Sequence, residues 1–306
     1  MPCLQIRGLI AAPHTPFLSD GSLNLPVIDK QVQLLLEGRT SGAFVCGTTG
    51  ESSSLSTSER MQVAARWIEA APKSFPVIVH VGHTSIVESC ALAAHAQACG
   101  ASAIAALAPY YFKPANVSDL VKFCVQVAAA APAIPFYFYN IPGMTGVSLS
   151  MVEFIGQARE RIPTFAGLKY THNDLAEFQK CLQLAEGSLD MFFGRDEILM
   201  AGLLAGAKVA VGSTYNYAAP VYLRIIEAMK AGDFAAAREH QSKAGRMIGV
   251  LRKYGEIPTA KAITSMMGVP CGPARTPLPK LTEAQTRNIF DELQGLDVFT
   301  RPLRPG

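Results

Sequence analysis

Short apolar runs alternate with helix-patterned segments along most of the chain, and this alternation is the strongest constraint on its fold. The runs have the length and composition of strands buried on both faces, and they fall at residues 8–12, 43–46, 77–81, 103–107, 136–139, 165–169, 191–193 and 209–211. Helix patterns lie between them, for example at 26–36, 56–70, 86–98 and 175–185. The second of these opens with Ser56, Thr57 and Ser58 before Glu59, in the manner of a capping box. Repeated strand–helix units predict an α/β fold with a parallel sheet.

Eight such units within 306 residues fit a (β/α)8 TIM barrel, which typically takes about 250 residues. An open doubly wound sheet is less consistent with the sequence, which has no glycine-rich dinucleotide fingerprint. After Pro220 the pattern is helical at 222–231, 233–253 and 282–294, with a proline-rich turn at 270–279. We therefore predict a barrel over residues 1–231 that carries the active site, and a C-terminal helical extension over 232–306 packed on it.

Composition excludes several classes of protein. Charged residues make up 17% of the chain and hydrophobic residues 49%, which argues against disorder. The net charge of +3 is small and the basic residues are scattered, so we expect no nucleic-acid partner. The longest apolar stretch, 125–139, is broken by two prolines and is too short to cross a bilayer. Seven cysteines without a C-x-x-C pair predict reduced packing residues in a cytoplasmic protein, with no zinc site.

Polar residues collect directly after the apolar runs, where (β/α)8 barrels place their active sites. The clusters are Gly47-Thr48-Thr49-Gly50-Glu51, Tyr110-Tyr111, Tyr139-Asn140, Lys169-Tyr170-Thr171, Gly194-Arg195-Asp196-Glu197 and Gly212-Ser213-Thr214. Each cluster alone fits an ordinary loop. Together they predict one barrel mouth ringed by hydroxyls, two acids and a lysine.

Lys169 is the residue that most directly indicates chemistry. It ends an apolar run, and an ammonium group in a dry barrel holds its proton less tightly than in water. A neutral amine there can add to a ketone and lose water, which gives an iminium that accepts electrons from the neighbouring C–C bond. This is class I aldolase chemistry and needs no metal or other cofactor. The alternative is a strand-end lysine that extends its charged group to solvent.

Other candidates also have two interpretations each. Gly47 and Gly50 allow a tight turn in which the hydroxyls of Thr48 and Thr49 converge on an anion, or they form a plain strand-to-helix turn. Tyr139 ends the strand before that of Lys169, so it is either an acid/base or a rim aromatic.

Asp196 and Glu197 either line the mouth or cap a helix that starts at Ile198. None of the six histidines has a partner pattern, so we assign no catalytic histidine.

Three segments together resemble the family of pyruvate-dependent aldolases that includes dihydrodipicolinate synthase and N-acetylneuraminate lyase, and the resemblance runs nearly end to end. They are Gly47-Thr48-Thr49-Gly50-Glu51, Tyr139-Asn140-Ile141-Pro142 and Gly167-Leu168-Lys169. The resemblance implies that Lys169 forms a Schiff base with the keto acid and that Tyr139 relays protons. It also implies that Thr48 and Thr49 hold the pyruvate carboxylate.

Within that family, two places favour the lyase branch over the synthase branch. Met144 stands where the synthase has an arginine for a second carboxylate, and a thioether cannot pair with a carboxylate. The lyase's sugar-binding residues are matched by Thr171, Gly194, Asp196, Glu197 and Ser213. The segments 48–60 and 270–275 resemble the animal-type branch.

The resemblance thus implies reversible retro-aldol cleavage of sialic acid to N-acetylmannosamine and pyruvate by a cytoplasmic homotetramer. In synthase relatives a tyrosine at the position of Tyr111 reaches into the neighbouring subunit's site, so Tyr111 is a candidate interface residue. There are two alternatives: another pyruvate aldolase of the family, or a relative that binds a keto acid without catalysis.

Overall fold

Eight parallel strands close into a barrel in the computed structural model, which describes residues 3–305. The strands are β1 (Gly8–Ala11), β2 (Gly42–Val45), β3 (Val77–His80), β4 (Ala103–Leu107), β5 (Phe136–Asn140), β6 (Phe165–Tyr170), β7 (Asp190–Phe193) and β8 (Val209–Gly212). Each strand pairs with the next in the sequence, and β1 pairs with β8. The predicted barrel is confirmed, and every predicted run agrees with a strand to within one residue at each end.

Helices connect successive strands, and the last one in this set follows β8. They are α1 (Val27–Glu37), α2 (Thr57–Ala70), α3 (Ile86–Ala98), α4 (Val117–Ala129), α5 (Pro142–Thr145), α6 (Met151–Arg161), α7 (Leu175–Ala185), α8 (Leu199–Leu204) and α9 (Tyr215–Lys230). The capping box predicted for α2 is present: the Glu59 amide donates to the Ser56 hydroxyl, and the Ser56 amide donates to the Glu59 carboxylate. Unpaired amides at the start of α2 are thereby satisfied.

The C-terminal helices are α10 (Phe234–Tyr254), α11 (Glu256–Met266) and α12 (Glu283–Leu293). Two predictions here were wrong. Helix α9 begins at Tyr215 rather than after Pro220, because non-helical angles at Ala218 break the helix and leave the proline in the first turn after the kink. Helix α11 was not predicted at all; most of its positions are buried, so it lacks the polar face that marks a surface helix.

Buried side chains form two layers, one inside the barrel and one between the strands and the helices. Ile10, Phe44 and Tyr137 belong to the inner layer. At the N-terminal end, the Tyr137 hydroxyl donates to Asp190 at 2.7 Å, and the Leu4 amide donates to the same hydroxyl at 3.2 Å. These groups close that end of the barrel, so small molecules can approach the interior from the C-terminal mouth.

Helix α10 packs along α9 and against a 3-10 turn, Asp196–Ile198, at the barrel mouth, and α11 and α12 pack on α10. The division into a barrel over 1–231 and an extension over 232–306 stays a prediction. No helix within residues 3–305 is long and apolar enough to cross a membrane.

Candidate active site

A cavity of about 620 Å³ opens at the C-terminal mouth of the barrel, a volume in the usual range for small-molecule sites. It brings together nearly all of the residues predicted from the sequence: Thr48, Thr49, Tyr139, Lys169, Thr171, Gly194, Asp196, Glu197 and Ser213. Tyr111 is the exception. It lies outside this cavity, is 77% exposed and packs edge-to-face on Phe112. Its part in an interface stays a prediction.

The side chain of Lys169 is inside the barrel and only 4% exposed. Its Nζ lies 4.0 Å from the ring centroid of Phe44 and 4.1 Å from that of Tyr139. Burial lowers the pKa of Lys169 to about 7, and the negative charge of Asp196 opposes that change. The alternative in which this lysine extends to solvent is wrong. Near neutral pH a large share of the amine carries a lone pair that can add to a carbonyl carbon.

A bulge in β6 turns Lys169 inward. Phe165 pairs with Phe136, but the next partner of β5 is Gly167, so Ala166 is an extra residue. Ala166 packs inside the barrel, whereas Leu168 packs against the helices. Strict alternation from Ala166 would have sent Leu168 inward and Lys169 outward. Gly167 permits the bulge because its φ is +146° and a Cβ there would overlap the Asp190 carbonyl.

Tyr139 is paired with Lys169 in the β5–β6 register, so the two side chains enter the barrel next to each other. Its ring packs edge-on against Phe44 and His80, with centroids 5.4 Å and 5.8 Å away. Its hydroxyl points into the cavity and lies 3.4 Å from Thr48 Oγ1. Burial raises the pKa of Tyr139 to about 12, so the phenol is protonated at neutral pH. Such a group can give a proton to a bound molecule and take it back.

The loop that carries Thr48 and Thr49 turns differently from the prediction. The left-handed residues are Cys46 and Glu51, each with φ near 56°, rather than the two glycines. Gly47 and Gly50 serve close packing instead. A Cβ on Gly47 would lie 3.1 Å from the Phe44 ring, and one on Gly50 would lie 3.3 Å from the Pro13 carbonyl. A side chain at either position would therefore require its neighbours to shift by a few tenths of an ångström.

Asp196 does not cap a helix: neither the 3-10 turn that it begins nor α8 has a side-chain cap. Its Oδ2 accepts hydrogen bonds from the Thr214 amide at 3.0 Å and the Thr214 hydroxyl at 2.6 Å. A Cβ on Gly212 would overlap this carboxylate, so glycine makes room for it on β8. Burial raises the pKa of Asp196 to about 6, and the hydrogen bonds from Thr214 limit the rise.

Glu197 Oε1 accepts hydrogen bonds from Arg195 at 2.7 Å and from Arg252 at 2.8 Å. Arg252 belongs to α10 and was not predicted. Three other cavity-lining residues of the extension were also not predicted: Ile248 and Leu251 of α10, and Glu256, which begins α11. The strand-end rule cannot find them, because they reach the mouth only through the packing of α10 on the barrel. The helical spacing of Ile248, Leu251 and Arg252 was the one signal in the sequence that these three share a face.

The remaining predicted residues supply hydroxyls. Thr171 Oγ1 is buried and has no hydrogen-bond partner within residues 3–305. A Cβ on Gly194 would overlap this hydroxyl, so glycine is required opposite Thr171. Ser213 follows β8 and lines the same wall. Met144, on α5, also lines the cavity and offers no charge to a second carboxylate.

Comparisons with known proteins show the family of this chain. The model of the dihydrodipicolinate synthetase family matches residues 5–295. N-acetylneuraminate lyase of Mus musculus is 41% identical over 306 residues, covering 98% of this chain and 96% of that protein. The structure of N-acetylneuraminate lyase from Proteus mirabilis has a TM-score of 0.93 and 41% identity, and the match covers 96% of this chain and 99% of that one. The enzyme of the same name from Aliivibrio salmonicida has a TM-score of 0.93 and 42% identity, with 96% and 97% covered. The chain therefore belongs to the dihydrodipicolinate synthetase family.

Proposed function

We propose that this chain is an N-acetylneuraminate lyase, which cleaves N-acetylneuraminate reversibly to N-acetylmannosamine and pyruvate. The observation that carries the proposal is that the buried amine of Lys169, which can be neutral near pH 7, lies beside the Tyr139 phenol in a cavity that also contains Asp196, Glu197 and Ser213. Full-length relatives that bear this enzyme's name support the same substrate.

The reaction starts with the neutral amine of Lys169, which attacks the C2 ketone of the open-chain sugar acid. The resulting carbinolamine must lose its hydroxyl as water, and the Tyr139 phenol donates the proton that this step requires. The products are an iminium on Lys169 and a phenolate on Tyr139. The two opposite charges lie next to each other in a dry site, where their attraction is strong. Thr48 and Thr49 bind the carboxylate on C1 of the substrate.

Carbon–carbon cleavage follows from the iminium. The Tyr139 phenolate takes the proton of the C4 hydroxyl, the C3–C4 bond breaks, and its electron pair passes into the iminium to give a neutral enamine. N-acetylmannosamine leaves as the aldehyde. The phenol then protonates C3 of the enamine, and water hydrolyses the pyruvate iminium to restore Lys169. No step needs a metal ion or an external redox partner.

The polar tail of the sugar lies against the residues that follow β7 and β8. Carboxylates are acceptors for the O–H donors of a polyhydroxyl chain, which suits Asp196 and Glu197. The hydroxyls of Thr171 and Ser213 can both donate and accept. Two arginines bind only Oε1 of Glu197, which leaves its Oε2 for the substrate. Met144, at the synthase's arginine position, offers no ligand for an acidic second substrate.

Family resemblance further supports a cytoplasmic homotetramer in which Tyr111 contacts a neighbouring subunit. Light scattering tests the assembly: the expected mass is four times the 32.7 kDa of the chain. A monomer would remove this part of the proposal and leave the chemistry untouched.

Borohydride trapping tests the function directly. Wild-type protein incubated with pyruvate and borohydride should gain one pyruvate-sized adduct, and peptide mass spectrometry should place it on Lys169. Arginine stays protonated, so Lys169→Arg should abolish both the adduct and the cleavage of N-acetylneuraminate while the protein remains folded. An adduct on Lys208 or Lys113, or substantial cleavage by the variant, would refute the assignment.

A further inference from the structure

A buried ion pair joins the loop after β2 to the C-terminal extension. Glu51 Oε1 and Lys261 Nζ, on α11, are 2.6 Å apart, and both side chains are 1% exposed. The second carboxylate oxygen of Glu51 accepts a hydrogen bond from the Arg275 amide at 2.8 Å. Lys261 also donates to the Pro273 carbonyl at 2.9 Å. One carboxylate therefore holds together the loop, α11 and the segment 270–275.

Stability alone is a weak reason for such a pair. Taking both charges out of water costs much of what their attraction returns, and apolar replacements of buried pairs are often tolerated. This pair is also reinforced by its neighbours. The Phe17 ring contacts two cations, with its centroid 4.2 Å from Lys261 Nζ and 4.4 Å from the Arg275 guanidinium. The Arg275 side chain bonds to Ser54 and Glu59 beyond the loop. The arrangement therefore holds the Glu51 side chain in one position, in addition to neutralising its charge.

What it fixes is the loop with the two threonines. Glu51 has left-handed angles, φ 56° and ψ 33°, which a residue with a side chain keeps only when its surroundings hold it. The Glu51 amide donates to the Thr48 carbonyl at 3.0 Å, and the Thr48 hydroxyl lies 3.4 Å from that of Tyr139. A shift of Glu51 therefore moves Thr48.

We propose that the Glu51–Lys261 pair positions Thr48 and Thr49 for the carboxylate of the keto acid, so that the C-terminal extension determines the affinity for pyruvate. Lys261 is on this account a positioning residue that acts through Glu51 and touches no substrate. Its role rests on the proposed function, since it presumes that the two threonines bind the pyruvate carboxylate.

The test uses the pair of substitutions Glu51→Gln and Lys261→Met in one protein, which removes both charges and leaves neither one buried alone. The matched control is Lys253→Met with Glu292→Gln. It makes the same chemical changes in an exposed pair of the extension, whose atoms are 2.7 Å apart. The readout is the pyruvate concentration that half-saturates borohydride trapping on Lys169, together with the melting temperature of each protein.

We expect half-saturation by pyruvate to rise about tenfold in the Glu51/Lys261 variant, the equivalent of roughly 1.4 kcal/mol or one weakened charge-assisted hydrogen bond. The trapped amount at saturating pyruvate should stay that of wild type, and the control should match wild type throughout. A folded variant with unchanged half-saturation would overturn the proposal and reduce the pair to a stabilising contact.

If the double variant is not recovered folded, Glu51→Asp decides by the same criterion. It keeps the charge but is one methylene too short to reach both Lys261 and the Arg275 amide. A wild-type half-saturation there overturns the proposal, and an increase supports it. If wild type itself forms no adduct on Lys169, the proposed function fails, which is a separate result from an unchanged variant.

Discussion

The ionisation of Lys169 leads to a quantitative prediction. An ordinary lysine with a pKa of 10.5 is neutral in roughly one molecule in 3,000 at pH 7. Burial lowers the pKa of Lys169 to about 7, so at this pH the amine is neutral in about half of the molecules. Iminium formation requires the neutral amine. At subsaturating pyruvate, its rate should therefore increase about tenfold between pH 6 and pH 8, with a midpoint near 7, and level off above that pH.

The second part of this prediction perturbs the charge nearest to the lysine. The Asp196 carboxylate raises the pKa of Lys169 against the effect of burial. Asp196→Asn removes this negative charge, so the pKa of Lys169 should decrease further. The midpoint of iminium formation should move to lower pH in this variant, and the rate at pH 6 should increase relative to wild type. Asparagine keeps the shape of the side chain and can still accept hydrogen bonds from Thr214.

The assay is the initial rate of borohydride-trapped adduct, followed by intact-protein mass spectrometry from pH 5.5 to pH 9. Circular dichroism at each pH confirms that the protein stays folded. A wild-type midpoint above about pH 9 would mean that the ammonium is well solvated, contrary to the burial seen in the barrel. A midpoint that rises in Asp196→Asn would refute the sign of the interaction between the two groups.

Two further substitutions separate the chemistry from the recognition of the sugar. Tyr139→Phe keeps the ring packing and removes the proton carrier, so kcat for steady-state cleavage should decrease by roughly 10²–10⁴-fold. An unchanged kcat would mean that water or another group carries the proton. Asp196→Ala should lower kcat/KM for N-acetylneuraminate by about 1.5–3 kcal/mol while trapping of pyruvate on Lys169 is retained. Wild-type cleavage of N-acetylneuraminate by this variant would exclude Asp196 from the sugar site.

The barrel and most of the cavity could be predicted because both depend on short-range sequence patterns. A strand buried on both faces is a short apolar run, and the polar residue that follows it lies at the mouth by topology, as Lys169 and Thr171 do. The type of side chain alone did not always decide between a structural and a functional interpretation of a residue. Whether Asp196 capped a helix or faced the cavity depended on Thr214, which is distant in sequence and adjacent in space.

What could not be predicted depends on contacts between distant segments. Arg252 reaches Glu197 only because α10 packs across the mouth, and the partner of Glu51 lies on α11, a helix without a polar face to reveal it. The start of α9 is a different case, because Pro220 is a local signal but marks a kink at Ala218 rather than the beginning of the helix. The first two features connect the extension to the site through contacts between residues that are distant in the sequence.

The bulge at Gly167 has a consequence for how such an amine arises or can be transplanted. The inward direction of Lys169 is decided by a count of residues along β6, not by the lysine itself. Because Ala166 is the extra residue, its deletion would leave Leu168 opposite Phe138 and Lys169 opposite Tyr139, with the amine still inside the barrel. Inserting one residue between Gly167 and Lys169 would instead keep every side chain named in the mechanism and turn the amine towards the helices, where it would meet packed apolar groups. An engineer who moves this chemistry to another scaffold must therefore match the register of the lysine strand to that of its neighbour, and not only the identity of the residue.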